Sequence, residues 1–207
     1  MIRILTVSGS PVAGSSTDLL LHKLTESLVE FLDPKLEVEH NFVKLNDLKY
    51  IPCQACGKAP TPKWCFYDDD LTSVYTQLAE CDCLLFGSPV YFDSVSGQAK
   101  MFIDRCNCFR PYDFEGKQAA HRFVKILGQK RAGAIVLVGG DEIGFENARR
   151  TIAGFFKWVE VLNEGVIKYS SRDDRVIGTV AADPAVLEQA NVLGQKLGKI
   201  LQERHER

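Results

Sequence analysis

The chain has 207 residues, 45% hydrophobic and 25% charged, with a formal net charge of −2. That length suits one sizeable α/β domain and is short for two, and the balance gives no electrostatic case for nucleic acid or an anionic membrane as the main partner. No apolar run approaches bilayer-spanning length, the N-terminus lacks a signal-peptide layout, and the seven cysteines are an odd number. Together these predict reduced thiols in the cytoplasm and no disulfide framework.

The aliphatic run from Ile2 to Val7 predicts a strand buried on both faces. Ser8 to Thr17 follows as a loop of small residues, and Asp18 to Leu32 carries Leu20, Leu24, Leu28, Phe31 and Leu32 at helical spacing. A strand, a small-residue loop and a helix N-terminus make an anion site, because the first helical amides have no intrahelical partner and the dipole favours negative charge there. A plain helix cap needs one hydroxyl. This loop offers Ser8, Ser10, Ser15, Ser16 and Thr17, with Gly9 and Gly14 allowing close backbone approach. It lacks the Gly-Lys-Ser/Thr ending of a Walker loop and the G-x-G-x-x-G dinucleotide spacing. With no lysine and no metal-binding carboxylate nearby, it suits holding a phosphate monoester and not cleaving a triphosphate.

Glu37 to Leu45 reads as a second strand nearer the sheet edge, followed by a long irregular insertion at about 46–70. Asp68, Asp69 and Asp70 open a short helix with Leu71, Val74, Tyr75 and Leu78 on its buried face. Cys83 to Gly87 is a third strand, and residues 88–96 form a second loop. A helix over Gln98 to Cys108 places Met101, Phe102 and Cys106 inward. Ala134 to Val138 is a fourth strand ending at Gly139, Gly140 and Asp141, and the next helix buries Ile152, Phe155, Phe156 and Val159. Val161 to Tyr169 is a fifth strand interrupted around Asn163 and Gly165. Asp183-Pro184 starts a last helix along Val186, Ala190, Leu193, Leu197 and Ile200. The alternation predicts a single domain over 1–207, an α/β fold with a parallel sheet covered on both faces.

In such a sheet ligands sit beyond the carboxyl ends of the strands. Three loops qualify: residues 8–17, 88–96 and 139–145. The first is a polar cradle, the second an aromatic wall (Pro89, Val90, Tyr91, Phe92) with free amides, and the third a glycine pair that leaves room for a flat body. A phosphate pocket beside a slot for a planar ring suits FMN better than a nucleoside triphosphate.

Gly9-Ser10-Pro11 with Ser15-Ser16-Thr17, Asp68-Asp69-Asp70-Leu71, the run Gly87 to Phe92, and the run Lys100 to Arg105 resemble the NADPH-dependent FMN reductase and iron-sulfur flavoprotein group. The resemblance implies a flavodoxin-like three-layer sandwich, a five-stranded parallel sheet of order 2-1-3-4-5, and non-covalent FMN. Ser10, Ser16 and Thr17 would hold the phosphate, Pro89, Val90, Tyr91 and Phe92 would line the ring, and Gly139 and Gly140 would close its far side. It also implies a homodimer or homotetramer.

The cysteine loop departs from the iron-sulfur members, which carry four closely spaced cysteines. Cys53 and Cys56 are present, Ala59 stands where a third would fall, and Cys65 follows. Three thiols are one short of the usual [4Fe–4S] set, and no histidine in the loop completes a zinc site. No metal is assigned, and the loop is expected to pack at the flavin edge or the oligomer interface. Cys83 and Cys106 read as small core residues, and Lys100, Asp104 and Arg105 as ion-pairing residues. His22, His40, His121 and His205 show no catalytic spacing, which fits chemistry carried by a cofactor. The expectation is an FMN-dependent oxidoreductase taking electrons from NAD(P)H and passing them to a flavin, quinone, nitro compound or metal ion. The alternatives are a flavodoxin-type electron carrier and a non-catalytic FMN-binding module.

Overall fold

A computed structural model describes residues 1–57, 64–111, 123–128, 130–140, 144–171, 173 and 176–206. His121, Ala59 and Asp141, singled out above, lie outside the described residues. The strands are β1 (Ile2–Ser8), β2 (Val38–Lys44), β3 (Cys83–Tyr91), the short β4 (Ser94–Val95), β5 (Arg131–Gly140) and β6 (Val161–Ser171). The helices are α1 (Ser16–Phe31), α2 (Leu71–Glu80), α3 (Gly97–Arg105), α4 (Glu146–Trp158) and α5 (Pro184–His205). The main sheet is parallel in the order β2-β1-β3-β5-β6, and β4 folds back antiparallel on β3. Apart from that hairpin strand, this is the expected flavodoxin-like order.

Strand alternation sends successive side chains to opposite faces and builds two cores. Leu5, Val7, Leu84, Phe86, Ile135 and Leu137 meet α2, α3 and α4 on one face. Ile4, Leu85, Ala134, Val136 and Ile167 meet α1 and α5 on the other. The break foreseen in the last strand is a bulge: Gly133 pairs with Asn163 and Ala134 with Gly165, leaving Glu164 unmatched.

Several side chains depart from the sequence reading. Phe31 is 42% exposed because it ends the helix on the rim, where it lies along Gly198 of α5. Met101 is half-buried, while Arg105 on the same helix is only 2% exposed. Its guanidinium donates to both Asp69 carboxylate oxygens at 2.7 and 3.2 Å and to the Ile51 carbonyl at 2.6 Å. Asp69 also accepts from the Leu71 amide, so the acidic run holds α3 as well as opening α2. Lys100 pairs with Asp104 one turn on, at 2.8 Å. Asp183 caps α5 as expected, accepting from the amides of Ala185 and Val186.

Candidate functional site

The loop between β1 and α1 is fixed from below by its own hydroxyls. Ser15 is the α1 N-cap and accepts from the Asp18 amide at 3.2 Å. Ser10, nearly fully buried, accepts from the Val12 amide at 3.2 Å, and Gly14 turns the chain at φ 67°. The amides of Ser16 and Thr17 open the helix with no carbonyl four residues behind them, the ready-made anion contact of a helix start. Ser16 is placed differently from expectation. Its hydroxyl faces Thr179 at 3.3 Å and accepts from the Val180 amide at 3.2 Å, so it fastens the segment before α5 and offers the loop only its backbone.

The expectation of no lysine near the loop is overturned. Lys44, at the end of β2, donates to the Asp18 carboxylate at 2.6 Å and to the Val12 carbonyl at 2.9 Å. Ser8 donates to the other Asp18 oxygen at 2.5 Å. Parallel pairing of Ser8 with Lys44 brings the two strand ends side by side, and a sequence gap of this size hides such a neighbour. The pair is close to neutral, so attraction for an anion rests on amides and hydroxyls.

The second segment is not a free loop. β3 continues to Tyr91, with Pro89 opposite Val138, and turns back through Val90 opposite Val95 and Tyr91 opposite Ser94. Phe92 (φ 50°) and Asp93 (φ 58°) form the two left-handed central residues of this hairpin. The expected free amides are therefore partly committed to pairing. Val90 is buried in the α2–α4 core, whereas Tyr91 is half-exposed and Phe92 fully exposed. Gly139 and Gly140 end β5 opposite Ser170 and Ser171. A Cβ on Gly144 would stand 3.5 Å from Asp93 Oδ1, which sets Gly144 beside the hairpin tip.

The first two segments are locked edge to edge. The Gly9 amide donates to the Gly87 carbonyl at 2.8 Å, and Ser96 Oγ donates to the Gly9 carbonyl at 2.6 Å. A Cβ on Gly87 would lie 2.8 Å from Thr17 Cγ2, and one on Gly9 would lie 2.7 Å from Ala99 Cβ. Both glycines are thus needed for the close approach. The structure brings Ser10, Ser15, Thr17, Pro89 and Tyr91 to one sheet end.

The cysteines divide into two classes. Cys81, Cys83 and Cys106 are buried core thiols, as read for the last two. Burial pushes Cys81 up to about 11 and holds Cys83 and Cys106 well above the ordinary thiol value. Cys53, Cys56, Cys65 and Cys108 instead line one cavity of about 350 Å³, walled by Trp64, Phe66, Tyr67, Phe123 and Trp158. Cys108 comes from the turn after α3, residues Cys106–Phe109. Sequence reasoning missed it because it is remote along the chain, and only the packing of that turn under the insertion brings it there. Among the described residues no group of three or more His, Cys, Asp or Glu side chains is arranged to hold a metal ion. No described helix is long and apolar enough to cross a membrane.

The NADPH-dependent FMN reductase family matches residues 2–167. An iron-sulfur flavoprotein of Methanocaldococcus jannaschii is 26% identical over 205 residues, covering 97% of either chain. Another, from Methanosarcina thermophila, is 25% identical over 184 residues, covering 89% of this chain and 84% of its own. Among solved structures, RosB with a bound 8-demethyl-8-formylriboflavin-5'-phosphate intermediate has a TM-score of 0.67 at 12% identity, covering 98% of this chain and 81% of that one. An NADH:FMN oxidoreductase in its apo form gives 0.64 at 15% identity, covering 97% and 90%; these two likenesses show the fold. The family match spans most of the chain and both halves of the sheet-end site, and the chain belongs to the NADPH-dependent FMN reductase family.

Proposed function

We propose that this flavodoxin-like flavoprotein, an oxidoreductase by family, uses bound FMN to pass electrons from a nicotinamide to a small acceptor such as a flavin, quinone, nitro compound or metal ion. The observation that carries the reading is the Ser96–Gly9 bond, which holds the hydroxyl-rich loop against the aromatic hairpin. When bound, FMN supplies the two-electron chemistry that lets donor and acceptor react in turn. The chain's own residues bind and orient. Ser10, Ser15, Thr17 and the amides at the start of α1 hold the phosphate, with Ser16 contributing its amide. Pro89, Tyr91 and Phe92 flank the ring, Val90 supports that wall from within the core, and Gly139 and Gly140 leave the far side open to a flat body. The exposure of Tyr91 and Phe92 supports a homodimer or homotetramer that covers the hairpin tip.

The purified protein is expected to take up FMN and to show flavin absorbance that NADPH bleaches without oxygen. A protein that fails to bind FMN, or whose bound FMN neither NADPH nor NADH reduces, overturns the reading.

The relatives named iron-sulfur flavoproteins raise a second prosthetic group. The aromatic cavity bearing Cys53, Cys56, Cys65 and Cys108 supports it: the donor set is all thiol, the walls are apolar, and about 350 Å³ is some tenfold a water's share of liquid volume (~30 Å³). We read this cavity as a [4Fe–4S] site.

A further inference from the structure

The cysteine loop by itself is one ligand short, since residue 59 is alanine in the series Cys53, Cys56, Ala59, Cys65. A three-thiol loop would leave one iron open, whereas a fourth thiol from elsewhere in the fold would close the set. The structure offers one. Cys108 lines the same cavity as Cys53, Cys56 and Cys65, although it belongs to the turn after α3 and not to the loop. We propose that Cys108 supplies the fourth thiolate of a [4Fe–4S] site whose other ligands are Cys53, Cys56 and Cys65. The proposal rests on the cluster reading of this cavity and is independent of the FMN reading.

A second observation points the same way. Arg105 and Trp158 line the cavity, and Arg105 Nε and Trp158 Nε1 are buried N–H groups that find no hydrogen-bond partner among the described residues. Buried donors are rarely left unsatisfied, and two at one cavity call for an acceptor. Thiolate and sulfide sulfurs accept such N–H groups, which is one of the ways a protein sets a cluster's potential. The rest of the Arg105 guanidinium is held by Asp69 and the Ile51 carbonyl, and Arg110, also on the cavity, is held by Glu160 and the Trp158 carbonyl. Each guanidinium is thus paired with a carboxylate, so the two arginines bring N–H groups to the cavity and little net charge.

A single zinc ion and a cluster make different demands on four thiols. Zinc draws four ligands to one point at about 2.3 Å for sulfur. No such gathering exists among the described residues. A [4Fe–4S] core would take one thiolate on each of its four irons, so the four cysteines would share a cluster and not a single ion. Uptake of a [4Fe–4S]²⁺ core by four thiols releases four protons to solvent and changes no oxidation state.

The test uses the full chain, purified without oxygen and reconstituted with ferric iron, sulfide and excess dithiothreitol, whose thiols supply the electrons that bring half of the iron to the ferrous state of the [4Fe–4S]²⁺ core. The native protein is expected to hold about four iron and four sulfide per chain and to give an electron paramagnetic resonance signal after dithionite reduction. Cys108→Ala is expected to lose at least half of that iron and sulfide while FMN content and circular dichroism stay unchanged. Cys108→Ser is expected to keep a cluster with an altered resonance signal, because oxygen replaces one sulfur ligand. Cys106→Ala, in the same turn but off the cavity, is expected to load like the native chain. A native chain that takes up no iron, or iron without sulfide, overturns both the cluster reading and the proposal while leaving the FMN reading intact. A loaded native chain matched in content and signal by Cys108→Ala, or by Cys108→Ser should the alanine variant fail to fold, overturns the role of Cys108 alone. Equal loss in Cys106→Ala assigns the effect to packing of the turn and overturns it too.

Discussion

Ser96 and Gly9 join the two halves of the proposed cofactor site: the serine hydroxyl donates to the glycine carbonyl at 2.6 Å while accepting from the Ala99 amide at 3.1 Å. One side chain therefore caps α3 and fixes the floor of the first loop. Ser96→Ala is expected to remove both bonds. Loss of the cap and of a buried acceptor's partner costs about 1–3 kcal/mol of stability in comparable cases. Affinity for FMN is expected to fall with it, because the loop and the hairpin lose their common tie. Urea unfolding and flavin-fluorescence titration check this; unchanged FMN affinity would show that the hairpin positions the loop without Ser96.

Lys44 and Asp18 carry opposite charges directly beneath the loop, their side chains 13% and 7% exposed. Lys44→Met leaves a buried carboxylate unpaired below an anion site. Breaking such a pair from one side destabilises by about 3–5 kcal/mol when it is fully buried, and this slightly open pair is expected to fall at or below that range. FMN affinity should drop at least tenfold, as a net negative charge now faces the phosphate. Adding Asp18→Asn is expected to recover most of the affinity. Riboflavin, which has no phosphate, provides the control: its binding should respond much less to Lys44→Met.

Gly87 lies where α1 crosses β3. A Cβ there would come within 2.7 Å of Leu21 Cδ1 and 2.8 Å of Thr17 Cγ2. Gly87→Ala is expected to cost about 1–3 kcal/mol through overpacking. It also pushes Thr17 away from its place, so FMN binding weakens more than stability alone explains. Comparison with Gly194→Ala separates the two effects. That substitution crowds the Leu24 carbonyl and Ser27 Cβ at 2.7 Å each in the α1–α5 contact, on the helix face away from the sheet-end loop, and is expected to lower stability while leaving FMN affinity unchanged.

The fold was readable because its strands and helices announce themselves by period. The runs rich in β-branched and other apolar residues in β1, β3 and β5 marked central strands, and Asp183-Pro184 marked the start of α5. The hydroxyl loop was equally plain, since its residues are contiguous. What escaped was everything that depends on two segments meeting. Lys44 reaches Asp18 only because β2 pairs in register with β1, and Cys108 reaches the cysteine loop only because the turn after α3 packs beneath it. The hairpin escaped for another reason. Its central residues, Phe92 and Asp93, take left-handed angles without the glycine or asparagine that usually advertises such a turn.

Buried acids that are neutral at pH 7 set the alkaline limit of stability. Burial pushes the Cys81 thiol up to about 11, and burial followed by the nearby Cys106 raises Tyr50 to about 12. In the unfolded chain these groups titrate near 8.5 and 10. Below both unfolded values each group keeps its proton in either state and contributes no pH dependence. Between about 9 and 11 the folded chain binds more protons than the unfolded one, so stability falls as pH rises through that window. Urea midpoints in cluster-free protein are expected to hold steady from pH 7 to about 8 and to decline from pH 9 upward. Cys81→Ala removes one of the groups and should make the decline shallower. A midpoint that stays level to pH 10 would mean that Cys81 and Tyr50 become accessible to solvent in the folded state.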